Sequence, residues 1–358
     1  KRMKSRKSMK ALIAAATSVA LVLGMSLTAA PANANNYVIG VSNGWAGNSW
    51  RETMVCAIKA EATLSKKVSK VLVSSRNTDA AGQSADVRAF ISQGVNAIII
   101  NPGDKDAINP AINEAIKAGI KVIAVDGPVS APGAYIVSND QKKYGAAGAE
   151  ALAKAMNYRG NVLYMRGISG HPADTLRDEG FKSVMKKYKN MKVTKEVFTN
   201  WDWAKGGELA KQLLKPGKFQ GVWTSGIDYP VVEAMKTNLR GRYIPLVGAD
   251  NNEFLRQTKE LASKGFVGIV VSNPAVIGGA GLKVALDVLG GKSVATESLL
   301  TPTAWTYKAN KKEIDSSYFV GQEATFSSAV KIPGYTTFSP AQLFRCKAPQ
   351  DSDDGARA

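Results

Sequence analysis

The sequence predicts an α/β protein of two doubly wound parallel-sheet lobes joined by a hinge, and three observations carry that prediction. Short apolar runs rich in β-branched residues alternate with segments of helical periodicity, the pattern of parallel sheets covered by helices. One strand–helix–strand unit occurs twice, as GVNAIIINPGDKDAINPAINEAIKAGIKVIAVDGP (94–128) and as FQGVWTSGIDYPVVEAMKTNLRGRYIPLVGADN (219–251). At an offset of 124 residues Asn101 falls on Ser225 and Asp126 on Asp250, so each copy delivers an Asp at the carboxyl end of its second strand. Ligands of open parallel sheets sit beyond those ends. Two such edges facing one another predict a cleft with an Asp on each side.

The elements follow in order. Residues 37–42 read as a first strand, 43–49 as a loop, 50–64 as a helix and 68–75 as a second strand. Asp79 is placed to cap a helix ending at Gln93, with Ala85, Phe90 and Ile91 on its buried face. In the first copy of the repeat, 97–100 is a strand bounded by Asn101-Pro102-Gly103. Ala107, Ile108, Ala111, Ile112, Ala115 and Ile116 then recur at helical spacing, Gly119 ends the helix, and 121–125 is the next strand. After a strand at 135–137, Ser138-Asn139-Asp140 starts a helix to Met156, where the chain is expected to cross to the second lobe. Strands are expected at 161–166 and 193–198, with helices at 176–188 and 204–214. In the second copy the helix falls at 230–237. A helix at 254–264 and a strand at 267–272 follow, and the Gly- and Ala-rich 274–289 is expected to pack on the first sheet. Periodicity is weak after Thr301. The expected division is 35–138 with 273–300 for the first lobe, 139–272 with about 301–330 for the second, and a tail at 331–358.

A chain of 358 residues, 45% hydrophobic and 21% charged, suffices for two cores. Its formal net charge of +18 raises the question of nucleic acid. Six of the basic residues, however, fall in the first ten positions, and the others are scattered over expected helix surfaces such as Lys186, Lys187, Lys189 and Lys192. No basic stripe interleaves with aromatics, so no nucleic-acid partner is expected. The N-terminus reads as an export signal over 1–34: a basic stretch, the apolar run 11–30, then Pro31 and Ala32-Asn33-Ala34, an A-x-A-like cleavage site. The small-residue site argues against a membrane anchor, and no Cys follows it to carry a lipid. An exported, soluble chain starting near Asn35 is expected. Export makes a disulfide between the two cysteines, Cys56 and Cys346, possible.

Ser42-Asn43-Gly44-Trp45-Ala46-Gly47-Asn48-Ser49-Trp50-Arg51 places indoles, an amide and a guanidinium where the first strand opens into a helix. Sugars call for this mixture, since their C–H faces stack on aromatic rings while each hydroxyl needs paired donors and acceptors. The second lobe offers His171, Arg177 and the run Asn200-Trp201-Asp202-Trp203 after two of its strands. His171 is the only histidine, with neither a G-x-S-x-G nucleophile motif nor nearby cysteines for a metal site. There is no Walker motif. Gly145-Ala146-Ala147-Gly148 and Gly278-Gly279-Ala280-Gly281 read as close packing of helices on sheets, not as phosphate loops.

From residue 37 to about 300 the chain resembles the type I periplasmic sugar-binding proteins that serve ABC importers. INPGDKDAI followed by KVIAVDG resembles their first-lobe unit, whose Asp holds sugar hydroxyls, and VGADNN resembles the second-lobe equivalent. Asn48-Ser49-Trp50 resembles the family's Asn-x-aromatic motif. His171-Pro172 with Arg177, and Trp201-Asp202, are similar to the galactose-binding branch. The resemblance implies a ligand set of Asn48, Trp50, Arg51, Asp126, His171, Arg177, Trp201, Ser225, Asp228, Asp250 and Ser272, with Trp50 and Trp201 sandwiching the sugar ring. It also implies a periplasmic monomer without cofactor or catalysis, which captures a monosaccharide or polyol for an ABC permease in the inner membrane. Presentation of the ligand to a chemoreceptor or histidine kinase would use the same residues. An exported enzyme would need an acid–base or nucleophile constellation that is not seen. The chain departs from the family pattern at Ala173, Gly127, Ser225-Gly226-Ile227-Asp228 and Ser272-Asn273, so neither galactose nor ribose specificity is carried over.

Overall fold

The computed structural model describes residues 36–349, so the export signal read at 1–34 lies outside the described residues. Two six-stranded sheets organise the rest. The first runs β2 (Val68–Ser75), β1 (Tyr37–Asn43), β3 (Ala97–Asn101), β4 (Lys121–Val125), β5 (Tyr135–Asn139) and β11 (Glu297–Leu300), all parallel. The second repeats that order with β7 (Met191–Phe198), β6 (Gly160–Arg166), β8 (Gly221–Thr224), β9 (Leu246–Ala249), β10 (Gly268–Val271) and β12 (Ala304–Thr306). Its last pairing is antiparallel. The two-lobed, doubly wound architecture expected from the sequence is present, with β12 as the one strand against the rule.

Both faces of each sheet are buried, which is why these strands read as near-continuous apolar runs. In the first sheet Ile99, Ile123 and Val125 pack on one side while Ile98, Ile100 and Val122 pack on the other. In the second, Leu163, Met165 and Val222 oppose Val162, Tyr164 and Trp223. The covering helices include α1 (Ser49–Ser65), α2 (Ala80–Ser92) and α3 (Asn109–Lys117) on the first lobe. On the second lie α4 (Gln141–Ala155), α5 (Pro172–Met185), α6 (Trp203–Leu213), α7 (Tyr229–Asn238) and α8 (Asn252–Glu260).

The chain crosses between sheets three times within this body. β5 leads into α4, whose Tyr144 and Leu152 join the second lobe's core. β10 leads into α9 (Ile277–Leu289), which returns to the first. β11 then leads into β12. The crossings are laced together: Asn139 Nδ2 donates to Asn273 Oδ1 (2.9 Å), and the backbone N–H of Thr303 donates to Ser272 Oγ (2.8 Å). The glycine runs pack more variously than expected. A Cβ on Gly148 or Gly281 would strike the sheet (Trp223 or Val125), as the sequence reading supposed, but on Gly145 or Gly278 it would strike another helix, at the Arg177 or Met54 carbonyl.

The segment beyond Thr301, for which the sequence offers little, is ordered by distant partners. After β12 and α10 (Lys311–Ser317), the backbone N–H of Ser328 donates to the Asp250 carbonyl (2.8 Å) and that of Asn252 to the Phe326 carbonyl (2.8 Å). The chain then crosses a fourth time. Ile332, Phe338 and Leu343 enter the first lobe's core, the last from α11 (Pro340–Arg345). Thr337 donates to the buried Glu61 carboxylate through both its N–H and its hydroxyl. A Cys56–Cys346 disulfide, with Cα atoms 4.7 Å apart, ties this tail to α1.

Candidate functional site

Both sheets direct their carboxyl ends at one cavity. In each, the strand order reverses beside the first strand, so the crevices open at β1/β3 and at β6/β8. The space they share is small, about 60 Å³, and partly open.

In the first lobe, Asn48 Oδ1 accepts from the backbone N–H of Arg51 (2.9 Å), capping α1 and fixing Trp50 and Arg51 in its first turn. Trp50 Nε1 donates to the Asn273 carbonyl (2.7 Å). Arg51 is 3% exposed, and its Nη1 donates to Asn43 Oδ1 (2.8 Å). Burial lowers its pKa to about 10, opposed by the carboxylate of Asp126. Asp126 follows β4 in the left-handed region (φ 66°), unusual for a residue with a side chain. Its carboxylate accepts from Gln141 Nε2 (2.8 Å) and Asn101 Nδ2 (3.4 Å). Burial raises its pKa, against the pull of Arg51 and Arg177.

In the second lobe, the Arg177 guanidinium lies 3.9 Å over the Tyr144 ring; Nε donates to Gln141 Oε1 (2.8 Å) and Nη1 to Ser225 Oγ (3.0 Å). Asn200 and Trp201 are both left-handed (φ 57° and 51°), which turns the indole back over Gly167. A Cβ at Gly167 would lie 2.2 Å from that ring, so only glycine admits it. Trp201 Nε1 donates to the Ser225 carbonyl (3.0 Å), and Trp203 stacks on Tyr229 at 5.1 Å.

Of the expected residues, Asn48, Trp50, Arg51, Asp126, Arg177, Trp201 and Ser225 line this cavity; His171, Asp228, Asp250 and Ser272 do not. The reasons are local. His171 is fully buried as the N-cap of α5, its Nδ1 accepting from the backbone N–H of Ala173 (3.1 Å). Nε2 then carries the proton of the neutral ring, and Arg51 Nη2, 3.2 Å away, is a packing neighbour without an acceptor there. Burial and the two guanidiniums, Arg51 and Arg177, hold its pKa well below the ordinary 6.5. Asp228 caps α7 and also accepts from the Ala249 N–H (2.8 Å) and Asn251 Nδ2 (2.7 Å), while burial pushes its pKa up to about 7. Asp250 lies behind the lining: Oδ1 accepts from the Asn273 N–H (3.2 Å), Oδ2 is buried without a partner, and burial pushes the pKa up to about 6. Ser272 serves the hinge.

Trp203, Ile227, Asn251 and Asn273 line the cavity without having been singled out as ligand residues. Trp203 belongs to the aromatic run after Trp201, and the sequence signal for Ile227, Asn251 and Asn273 is proximity alone, one position from Asp228, Asp250 and Ser272. Among the described residues no group of His, Cys, Asp and Glu is arranged to hold a metal ion.

Residues 39–293 match the family model described as a periplasmic binding protein domain. The chain is 28% identical over 298 residues to the ribose import binding protein of Bacillus subtilis (strain 168), an alignment covering 78% of this chain and 94% of that protein. It is 28% identical over 236 residues to the xylitol-binding protein of Mycolicibacterium smegmatis (strain ATCC 700084 / mc(2)155), covering 65% of this chain and 67% of that one. Among solved structures, an ABC transporter solute binding protein from Thermobispora bispora DSM 43833 superposes with a TM-score of 0.71 at 26% identity, covering 81% of this chain and 90% of that one.

Proposed function

The chain belongs to the periplasmic binding protein domain family, in its type I sugar-binding branch, and from that premise we propose that it captures a monosaccharide or related polyol between its lobes and delivers it to an ABC permease. The observation that supports this reading best is the make-up of the cavity: indoles together with planar amide, guanidinium and carboxylate groups, contributed by both lobes. Trp50 and Trp201 would stack on the ring from either side. Asp126 would accept from ring hydroxyls, and Arg177, Asn48 and Asn251 would complete their hydrogen bonding. Asp250, whose Oδ2 is unpartnered, would act on the ligand only where a hydroxyl reaches past Ala249 and Asn251.

The chemistry is binding, not catalysis. A ligand touching both lobes favours the closed arrangement by its extra contacts there, and a shift from 1:99 to 99:1 needs about 10⁴-fold tighter binding to that form. Closure is what the permease in the inner membrane would read. The relatives named for ribose import and xylitol binding support a small polyhydroxylated ligand, and the family description supports a periplasmic location. A thermal-shift screen of the purified protein against pentoses, hexoses, polyols and nucleosides tests the reading. A ligand at 100 times its Kd should add about 2.7 kcal/mol of stability. A screen in which no sugar or polyol moves the melting temperature would overturn it.

A further inference from the structure

Four of the six tryptophans of the chain stand at the cleft, more than one sugar ring can use. Outside the inner cavity a second space of about 420 Å³ opens between the lobes. Asn48, Arg51, Trp201 and Trp203 line both, so the two are chambers of one passage. The outer chamber adds Trp45 and Asn77 from the first lobe, and Asn200, Asp202 and Lys205 from the second.

Its walls repeat the chemistry of the inner cavity. Trp45 and Trp203 are only partly buried, and no protein group among the described residues accepts from either indole N–H. Both stand on fixed supports. The backbone N–H of Ala46, beside Trp45, donates to Asn77 Oδ1 (2.8 Å), and Trp203 is stacked on Tyr229. Indoles of this kind present an apolar face for sugar C–H groups and a free donor for a hydroxyl. The amides of Asn77 and Asn200, the exposed Asp202 carboxylate and the Lys205 ammonium supply further hydrogen bonding around them. The mouth of a cleft that closes on a single ring needs none of this.

We propose that the outer chamber is a second sugar subsite, so that the preferred ligand carries two rings, a disaccharide or a glycoside, with one ring in each chamber. This rests on the sugar-binding reading of the inner cavity and extends it. The test is calorimetric titration of the full protein with xylose and xylobiose, glucose and cellobiose, and galactose and melibiose, repeated on Trp45→Ala and Lys205→Ala. At least one disaccharide should bind tenfold or more tightly than its monosaccharide. Trp45→Ala should remove that advantage while monosaccharide affinity stays within about twofold, and Lys205→Ala should reduce it. Monosaccharide binding with no disaccharide tighter, or an advantage unaltered by Trp45→Ala, overturns the second subsite and leaves the inner one standing. Binding of no sugar of either length overturns both.

Discussion

Asp126 and Asp250 hold the same place in the two copies of the repeated unit, yet the two lobes use them differently. Asp126 takes a left-handed turn after β4, lines the cavity, and has both carboxylate oxygens held by amides. Asp250 is not left-handed; the chain passes directly from it into α8, and Asn251, the N-cap of that helix, takes the place at the cavity wall. A shared topology therefore specifies which strand end approaches the cavity. The turn after the strand decides which side chain arrives.

Breaking that comparison starts with the staple that only the first lobe carries. The disulfide closes a loop of 290 residues, and loop entropy sets an upper figure of about 5–6 kcal/mol on its contribution. In a Cys56→Ser/Cys346→Ser variant, amide hydrogen exchange should quicken in α1 and the tail and stay unaltered in α7 and β8. Equal quickening in both lobes would show the tail stabilises the whole body alike.

Next comes the pH dependence of Asp250. Its folded pKa of about 6 lies above an ordinary carboxylate value, so its contribution to stability is full below about pH 4 and is lost as pH rises through 6. Relative to Asp250→Asn, which does not titrate, the native protein should lose about 2.5 kcal/mol between pH 4 and pH 7.5. His171 and Asp228 titrate in both proteins and cancel from the difference. A pH-independent gap between the two denaturation curves would contradict the buried, half-satisfied carboxylate.

Affinity separates the two residues most directly. Asp126→Ala removes a charged acceptor from a desolvated hydroxyl and should weaken the best sugar found by screening 30- to 100-fold, about 2–3 kcal/mol. Asp250→Ala should weaken it less than tenfold. The reverse ranking in titration calorimetry would exchange their roles. The smallest effect expected is in the tryptophans, where Trp201→Ala should cost about tenfold in affinity and more than Trp203→Ala, since Trp201 is also anchored to Ser225. Greater damage from Trp203→Ala would put the ring of the ligand further out in the cleft.

Much of this was legible because parallel sheets buried on both faces leave an unmistakable apolar pattern, and because the repeat marks equivalent strand ends. Helix caps were the chief source of misreading. Asn48, His171 and Asp228 are all polar residues at helix starts, and capping needs the same side-chain acceptors as ligand binding. Of the three, only Asn48 also lines the cavity. The tail was opaque for another reason: its hydrogen bonds run to Glu61, the Asp250 carbonyl and Asn252, none of them near in sequence, so no local period announces them.

The lobes also differ in when they can be finished as the chain is made. The parallel strands of the second sheet run uninterrupted from Gly160 to Val271 and lack only the antiparallel β12, whereas the first sheet begins at Tyr37 and waits for α9 and β11, the latter ending at Leu300. Its covalent lock waits longer still, for Cys346. In a chain emerging from its N-terminus, where domains fold as units, the lobe begun first is therefore the one completed last. Until then the apolar face of α1 and the β5 edge of the first sheet lack their permanent cover. A chain cut after Val271 should accordingly bind chaperone and aggregate through its first lobe, while limited proteolysis recovers the parallel-stranded part of the second.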